Sequence, residues 1–341
     1  MNKFDKFGFA DIEIENRFKE PTYLDKISSL VNWKRIENIL NKHYKKNKDA
    51  VGNPAYPAIN MFKILLVQRW EKLSDPQMEF ALRDRISVIR FVGFPLSSPT
   101  PDHSTICRFR NELLKTGTFE VLLNEINSQL SSLGFMVKEK SSAVIDATIV
   151  SSHSRPRKTL DIIPEDRKEE DSSNESSPNI SFSADPDAAW LKKGKKSYFG
   201  YKQFLGTDEK GFILSCLTKP ANVSEMKTLP EFIERLDLQP GSMLYGDKGY
   251  ASNENRVLLA ENGIKDFIMH KKTKGSELSG FQKKVNRFIS GVRYVVEQTF
   301  GILKQHFGID KARYIGIKKV QMEFELTAIA YNLKKAANML Y

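Results

Sequence analysis

Apolar side chains recur at intervals of three and four residues through much of the first half of the chain, a spacing that predicts amphipathic helices. Residues 61–73 carry one such pattern, and Pro57 lies just before it, where a helix start tolerates the missing backbone N–H. A second helix is predicted as one segment over residues 76–94, after a break at Ser74. These elements predict an all-α N-terminal domain over residues 1–139.

A third helix is predicted after the proline-rich loop at residues 94–101, with Asp102 as its N-cap. A short turn followed by a helix that carries Arg108 and Arg110 is typical of a helix-turn-helix motif, whose second helix enters the major groove of DNA. The same pattern also fits a structural helix with solvated arginines. Arg108 and Arg110 are therefore candidate DNA contacts, and the second interpretation stays open.

The pattern changes at Lys140, where short apolar and β-branched runs begin to alternate with helical segments. Residues 141–150 predict a buried strand, and a hairpin is predicted around residues 207–211. Two more short strands alternate with helices before a basic helical region over residues 281–341. This order predicts an α+β domain over residues 140–341, in which helices flank a mixed β-sheet.

One segment of this second domain lacks any periodicity. Residues 155–189 are rich in Ser, Asp, Glu and Pro, and from Asp161 to Asp187 there are nine acidic against two basic side chains. A segment of this composition cannot bury enough apolar surface to order itself. We expect it to be an exposed acidic loop.

The formal charge of +11 is concentrated towards the C-terminal end of the chain. From Lys271 onward there are 14 Lys and Arg against 5 Asp and Glu. Total charge alone fits a nucleic acid, an anionic membrane surface or an acidic protein as the partner. A basic region beside an acidic loop favours nucleic acid, because it provides phosphate contacts in one place only.

Composition also limits the cellular location. No apolar run approaches the roughly 20 residues of a membrane helix, and the charged N-terminus lacks the apolar centre of a secretion signal. Cys107 and Cys216 have no metal-like spacing and fit small core residues in a reducing compartment. We therefore expect a cytoplasmic protein without membrane contact.

Two aspartates of the second domain lie in or directly after predicted apolar strands. Asp146 lies inside such a strand, where burying a charge costs several kcal/mol unless it is paired or binds a cation. Asp247 ends another strand, between Gly246 and Lys248-Gly249, and glycines let a ligand come close. Each has a plainer interpretation, since Asp146 also fits a cap of a neighbouring helix or turn and Asp-Lys-Gly also forms ordinary tight turns.

Glu297 lies at the edge of the buried face of the long predicted helix. At about 100° per residue, Arg293, Glu297 and Lys304 fall on one stripe of that helix. Arg293 and Lys304 are candidate contacts for phosphates next to Glu297. The alternative is a simple Arg293–Glu297 pair one turn apart, which contributes only a few tenths of a kcal/mol.

Together, the three carboxylates predict a site for two divalent ions. Cleaving or transferring a phosphodiester requires the attacking and leaving oxygens to be stabilised at once, and two ions about 3.5–4 Å apart do both. Carboxylate oxygens suit such ions, whereas three carboxylates crowded together without metal repel one another. Asp146, Asp247 and Glu297 are therefore candidate catalytic metal ligands, with two Mg²⁺ ions as the expected cofactor and Mn²⁺ as a substitute.

A second candidate nucleic-acid contact precedes the predicted hairpin. Aromatic side chains interleave there with lysines, a pattern that suits a strand that stacks on bases while following phosphates. The candidates are Trp190, Lys195, Lys196 and Lys202. A hairpin edge with solvated lysines and a core tryptophan explains the same pattern.

The order of these motifs resembles that of a known family. Residues 145–148, residues 245–250 and the Arg293-x3-Glu297-x6-Lys304 stripe resemble the three acidic motifs of bacterial insertion-sequence transposases, most closely the IS-five group of the DDE superfamily. Further segments similar to that group are residues 53–113, 190–202 and 326–340. The resemblance thus covers most of the chain from about residue 50 onward.

The resemblance implies an RNase H-like catalytic domain, preceded by a helical domain that binds the ends of a mobile element. It assigns metal binding to Asp146, Asp247 and Glu297, and phosphate contacts to Arg293 and Lys304. The expected partners are double-stranded DNA, as terminal inverted repeats and target, and further copies of the chain in a dimer or larger assembly on the nucleoid. In one departure, Ser290 stands where related transposases often have Tyr, which puts an aromatic contact there in doubt.

Two other functions stay open on the sequence. A metal-dependent nuclease would cut DNA at the same acids without joining it, and a transposase-derived regulator would bind DNA without catalysis. Neither alternative changes the expected fold.

Overall fold

The computed structural model describes residues 20–44, 55–137, 141–154, 185–272 and 277–340, together with Gly8. Within these ranges the chain forms eleven α-helices, a short 3-10 helix and one six-stranded β-sheet. None of the described helices is both long and apolar enough to cross a membrane. The predicted acidic loop lies outside the described residues up to residue 184 and stays a prediction.

Helices alone make up the described regular structure before the first strand, as the apolar spacing predicts. They are α1 (Tyr23–Leu30), α2 (Trp33–His43), α3 (Ala58–Glu71), α4 (Asp75–Asp84), α5 (Ile86–Val92), α6 (His103–Lys115) and α7 (Thr118–Ser132). Two predicted helix starts are confirmed. Pro57 immediately precedes α3, and the Asp102 carboxylate caps α6 by accepting a hydrogen bond from the backbone N–H of Thr105 at 2.7 Å.

The segment predicted as one helix over residues 76–94 is instead two helices, α4 and α5. The chain is extended at Arg85, with φ −112° and ψ 105°, and the Arg85 guanidinium forms an ion pair with Glu71 of α3. α5 then ends at Gly93, whose φ of 90° is a left-handed conformation that favours glycine. The apolar spacing continues across this junction, which is why the sequence pattern did not show it.

The strands form one mixed sheet in the order β2-β3-β1-β5-β6, with β4 paired to β3. They are β1 (Ser142–Ser151), β2 (Ala189–Lys193), β3 (Lys196–Thr207), β4 (Ile213–Pro220), β5 (Met243–Gly246) and β6 (Lys265–Ile268). β1 is antiparallel to β3 and parallel to β5, and β6 is parallel to β5. The hairpin predicted around residues 207–211 is confirmed as the antiparallel pair of β3 and β4.

Four helices alternate with the later strands or follow them: α8 (Glu225–Leu236), α9 (Asn253–Glu261), α10 (Gly280–Phe307) and α11 (Ile317–Asn338). α11 is buried on nearly every side and contacts α1, α3, α7 and β4. It starts well before Leu326, where the sequence resemblance placed the last helix. Together with the sheet, these elements confirm the predicted α+β class.

The helical half and the sheet share one core. A single cluster of buried apolar residues extends from Leu24 in α1 to Ala337 in α11. Arg69 of α3 is buried within it, where its guanidinium contacts Glu323 at 2.9 Å and Thr327 at 2.6 Å, both on α11. The core is therefore continuous across the predicted division at residues 139/140, and that division stays a prediction.

β1 and β3 approach closely at Gly200, where a side chain has no room. A Cβ atom there would lie 2.1 Å from the carbonyl oxygen of Val150 and 2.7 Å from the amide nitrogen of Ser152. Because both atoms belong to the backbone, Gly200→Ala should force the strands apart and lower the free energy of unfolding by about 1–3 kcal/mol, measured by urea denaturation. Gly291→Ala is the control, since no atom lies within 4 Å of its Cβ, and it should be neutral or stabilising. Equal stability of the two variants would contradict this close approach.

Candidate active site

Asp146 and Asp247 lie side by side because of the register of two parallel strands. The last residue pair between β1 and β5 joins Val144 to Tyr245. Two residues further along, Asp146 on β1 and Asp247 after β5 therefore take neighbouring positions at the carboxyl end of β5. This is the end of a parallel sheet at which ligands bind in α/β proteins.

Glu297 reaches the same place from α10, which packs across β1 and β5. Arg293, one helical turn earlier, points its guanidinium between the three acids. Its Nη atoms lie 3.4 Å from Asp146 Oδ1, 3.9 Å from Asp247 Oδ1 and 3.4 Å from Glu297 Oε1. Three carboxylates from distant parts of the sequence thus meet around one cation, and the Arg293–Glu297 pair of the plainer interpretation is present as part of this cluster.

Burial differs strongly among the three acids. The exposed fraction of the side chain rises from 23% at Asp146 to 35% at Asp247 and 55% at Glu297. Burial raises the pKa of Asp146 to about 6. The charges of Glu297 and Asp247 raise this pKa further, whereas Arg293 and the hydrogen bond from the Ala147 N–H lower it. The site is therefore deepest at Asp146 and open to solvent at Glu297, so that a ligand would enter from the α10 side.

The donor set suits divalent cations, because carboxylate oxygens are the ligands that Mg²⁺ and similar ions prefer. In this conformation the Arg293 guanidinium occupies the middle of the set. No group of three or more His, Cys, Asp or Glu side chains in the described ranges surrounds a common metal position. One internal cation thus offsets part of the negative charge of the three acids, and metal ions bound between these acids would require the guanidinium to move aside.

Arg293 and Lys304 differ from each other in accessibility. The Arg293 side chain is 9% exposed and directed at the acids, which leaves it no surface for a phosphate in this conformation. Lys304 is exposed on the same helix, two turns beyond Glu297. Of the two predicted phosphate contacts, only Lys304 is accessible.

The structure separates the two arginines predicted on α6. Arg108 is exposed, near the hydroxyls of Ser104 and Thr105. Arg110 is buried, and its two Nη atoms donate to the two carboxylate oxygens of Asp75 at 2.8 and 2.7 Å. Both Nη groups of Arg110 therefore have an internal partner and its side chain is not accessible to DNA in this conformation, so its DNA contact stays a prediction.

The predicted contacts on the hairpin formed by β2 and β3 differ in exposure. Lys195 and Lys196 are exposed at its turn, and Trp190 is 56% exposed while packing on Phe199. Lys202 is different, since its side chain is only 11% exposed and its Nζ lies 3.7 Å from Glu225. Lys202 therefore has an internal partner and is mostly buried in this conformation, so its DNA contact stays a prediction.

Two residues near the acids were not singled out from the sequence. Tyr250 follows Asp247 by three residues and is completely buried. Glu225, in the first turn of α8, approaches Gly249 so closely that a Cβ there would lie 1.8 Å from Glu225 Oε2. Tyr250 belongs to the 245–250 motif, so the sequence could have identified it as a site residue. No local sequence pattern marks Glu225.

Two family models match the sequence. The model described as "Transposase domain (DUF772)" matches residues 12–112, and the one described as "Transposase DDE domain" matches residues 138–333. The second match spans all six strands and the helix that carries Glu297. The mixed sheet and the helices within this match have the RNase H-like fold that the family resemblance implies.

A curated relative supports the same family. The transposase for insertion sequence element IS1106 of Neisseria meningitidis serogroup B is 37% identical over 289 residues, which are 84% of this chain and 94% of that protein. An alignment of this length includes parts of both family matches.

Two solved structures show a weak overall similarity. The Mos1 transposase paired-end complex with left transposon end has 10% identity and a TM-score of 0.21, covering 89% of this chain and 94% of that one. A pre-cleavage Mos1 transpososome has 8% identity and a TM-score of 0.21, covering 94% and 98%. Similarity at this level carries no argument about fold or function.

Proposed function

Because the chain belongs to the transposase DDE domain family, we propose that it cleaves DNA at the ends of a bacterial insertion sequence and joins the freed ends to target DNA. It is a DDE-type transposase by family, and the proposal concerns the reaction and its residues. The observation that supports it most directly is the contact of Asp146, Asp247 and Glu297 with one guanidinium. Membership of the IS-five group is part of the proposal.

Enzymes of this family use divalent metal ions, and we propose Mg²⁺ here, with Mn²⁺ as a substitute. Bound ions would stabilise negative charge on the attacking and leaving oxygens of the phosphodiester. Asp146, Asp247 and Glu297 would together hold the ions, with Asp146 as the most buried of the three ligands. The carboxylates lie on a strand, a strand end and a helix of one core, so their positions are fixed before DNA arrives.

The proposed reaction needs no covalent intermediate with the protein. In the first step, a water oxygen attacks the phosphorus at the element end, and the bond to the leaving 3′ oxygen breaks to give a free 3′-hydroxyl. In the second step, the oxygen of that hydroxyl attacks the phosphorus of a target phosphodiester in the same site and loses its proton. The bond from this phosphorus to the target's 3′ oxygen breaks, and the target strand leaves with a free 3′-hydroxyl. Arg293, displaced from the acids, would then be free to contact a phosphate beside the reacting one.

Five accessible side chains among the sequence candidates are the proposed DNA contacts. They are the basic residues Arg108, Lys195, Lys196 and Lys304, and Trp190, which is able to stack on a base. Residues 1–139 would hold the terminal inverted repeat, and residues 140–341 would carry out the chemistry. Two element ends must react together, so we propose that a dimer or larger assembly forms on DNA.

The test is an assay with DNA that carries two terminal inverted repeats from the sequence flanking the gene. We expect Mg²⁺-dependent cleavage at both ends and joining to a target plasmid, with no product in EDTA. Cleavage without joining would identify a nuclease, and binding without cleavage would identify a regulator. DNA with a single repeat is the control and should yield less joined product if two ends must pair.

A further inference from the structure

Tyr250 carries a buried hydroxyl that the described part of the chain leaves without a partner. The side chain is 0% exposed, and its Oη atom makes no hydrogen bond. Leaving a buried hydroxyl unpaired costs free energy that a phenylalanine would not cost. An unpaired buried hydroxyl beside a candidate ligand site fits a hydrogen bond that forms only when the ligand is bound.

The position of Tyr250 is fixed by its backbone. Its N–H donates to the carbonyl oxygen of Asp247 at 3.0 Å, and its carbonyl oxygen accepts from Asn255 Nδ2 at 2.8 Å. The short helix from Lys248 to Tyr250 thus ties the phenol ring to the residue that supplies the second acid.

The hydroxyl lies within the electrostatic reach of the acids. Burial, followed by the carboxylates of Asp146 and Glu225, raises the pKa of Tyr250 well above its usual value. The hydroxyl is therefore protonated and can serve only as a donor towards a carboxylate oxygen.

The Asp146 carboxylate has an oxygen atom that can accept a hydrogen bond from the Tyr250 hydroxyl. Its Oδ1 accepts from the Ala147 N–H at 2.9 Å and lies 3.4 Å from Arg293. Among the described residues, no side chain or backbone N–H donates a hydrogen bond to Oδ2. A buried donor without an acceptor and a carboxylate oxygen without a donor thus occur in the same site.

We propose that Tyr250 is a positioning residue of the active site, whose hydroxyl donates a hydrogen bond to the Asp146 carboxylate and fixes its orientation when metal ions replace Arg293. This inference rests on the proposed metal-dependent function. Groups that orient a metal ligand in this way commonly change metal affinity by 10–100-fold when removed.

The experiment compares Tyr250→Phe with the unmodified protein and with Tyr245→Phe. Tyr245 lies in the same motif and loses the same single atom, but its hydroxyl contacts Met243 Sδ at 3.3 Å, away from the acids. We expect Tyr250→Phe to be at least as stable as the unmodified protein in EDTA. Its Kd for Ca²⁺, measured by calorimetry, should rise about tenfold or more, and kcat for end cleavage should fall while KM for DNA stays unchanged. Tyr245→Phe should leave the Kd for Ca²⁺, the kcat for end cleavage and the KM for DNA unchanged.

Two results would overturn the proposal. Unchanged Ca²⁺ affinity in Tyr250→Phe would show that the hydroxyl does not act on the metal site. Lower stability or loss of folding in EDTA would show that the hydroxyl already has a structural partner. Ca²⁺ binding requires no cleavage, so an unmodified protein that binds Ca²⁺ but leaves DNA intact would reject the proposed function and still decide the role of Tyr250.

Discussion

Replacing Asp146 by Asn is expected to reduce DNA cleavage about a thousandfold or more and, in the absence of metal, to stabilise the protein. Loss of a proposed metal-holding carboxylate would remove several kcal/mol of charge stabilisation in the transition state, and each 1.36 kcal/mol is about tenfold in rate. The stability gain follows from burial, which raises the pKa of Asp146 from 3.8 to about 6 in the folded chain. The measurements are end cleavage in Mg²⁺ and urea denaturation in EDTA.

The pH dependence gives the sign of the stability effect. The folded chain holds the Asp146 proton more tightly than the unfolded chain, so the unmodified protein loses stability as pH rises from about 4 to about 6. Asp146→Asn should therefore match the unmodified protein near pH 4 and exceed it by about 2–3 kcal/mol at pH 7. Asp310→Asn removes the same charge at an exposed position and is the control. A difference between Asp146→Asn and the unmodified protein that is constant across this range would contradict the explanation by burial.

Replacing Arg293 by Gln is expected to destabilise the metal-free protein by about 3 kcal/mol at pH 7 or above. The guanidinium is the group that neutralises Asp146, Asp247 and Glu297, and without it three carboxylates face one another. Divalent ions take over that role, so Ca²⁺ should restore more stability to the variant than to the unmodified protein. Urea denaturation in EDTA and in Ca²⁺ measures both effects.

Arg287→Gln is the matched control for Arg293→Gln, because Arg287 lies on the same helix but is exposed. Its effect on the free energy of unfolding should stay within about 0.5 kcal/mol, as is usual for surface positions. If Arg293→Gln were as stable in EDTA as the unmodified protein, the guanidinium would not be the counter-ion of the acids.

The sequence predicted the fold class and most element types because apolar spacing reports which face of an element is buried. β1, the β3–β4 hairpin and the long helix α10 follow from such local patterns. The pattern failed at Arg85, where a helix break depends on an ion pair with Glu71 rather than on apolar spacing. It also placed the start of the last helix too late, since α11 is buried all round and has little periodicity.

Long-range partners explain the other differences. Nothing local shows that Arg110 is paired with Asp75, or that Lys202 is paired with Glu225, because each partner lies more than 20 residues away. The same is true of Arg293, which a helical stripe places beside Glu297 but cannot place between two aspartates on other strands. The sequence shows which side chains are charged, but it does not show which side chain lies next to each charge in the fold.

The buried helix α11 has an evolutionary consequence. One face of it completes the layer over the sheet, and another is held by α1, α3 and α7. With the first half of the chain binding the DNA ends, as proposed, a different recognition module could not replace it without changes to α11, which also packs on the sheet. Under this proposal, changes in the recognised DNA ends would arise as surface substitutions, such as those around Arg108, and not by exchange of whole segments.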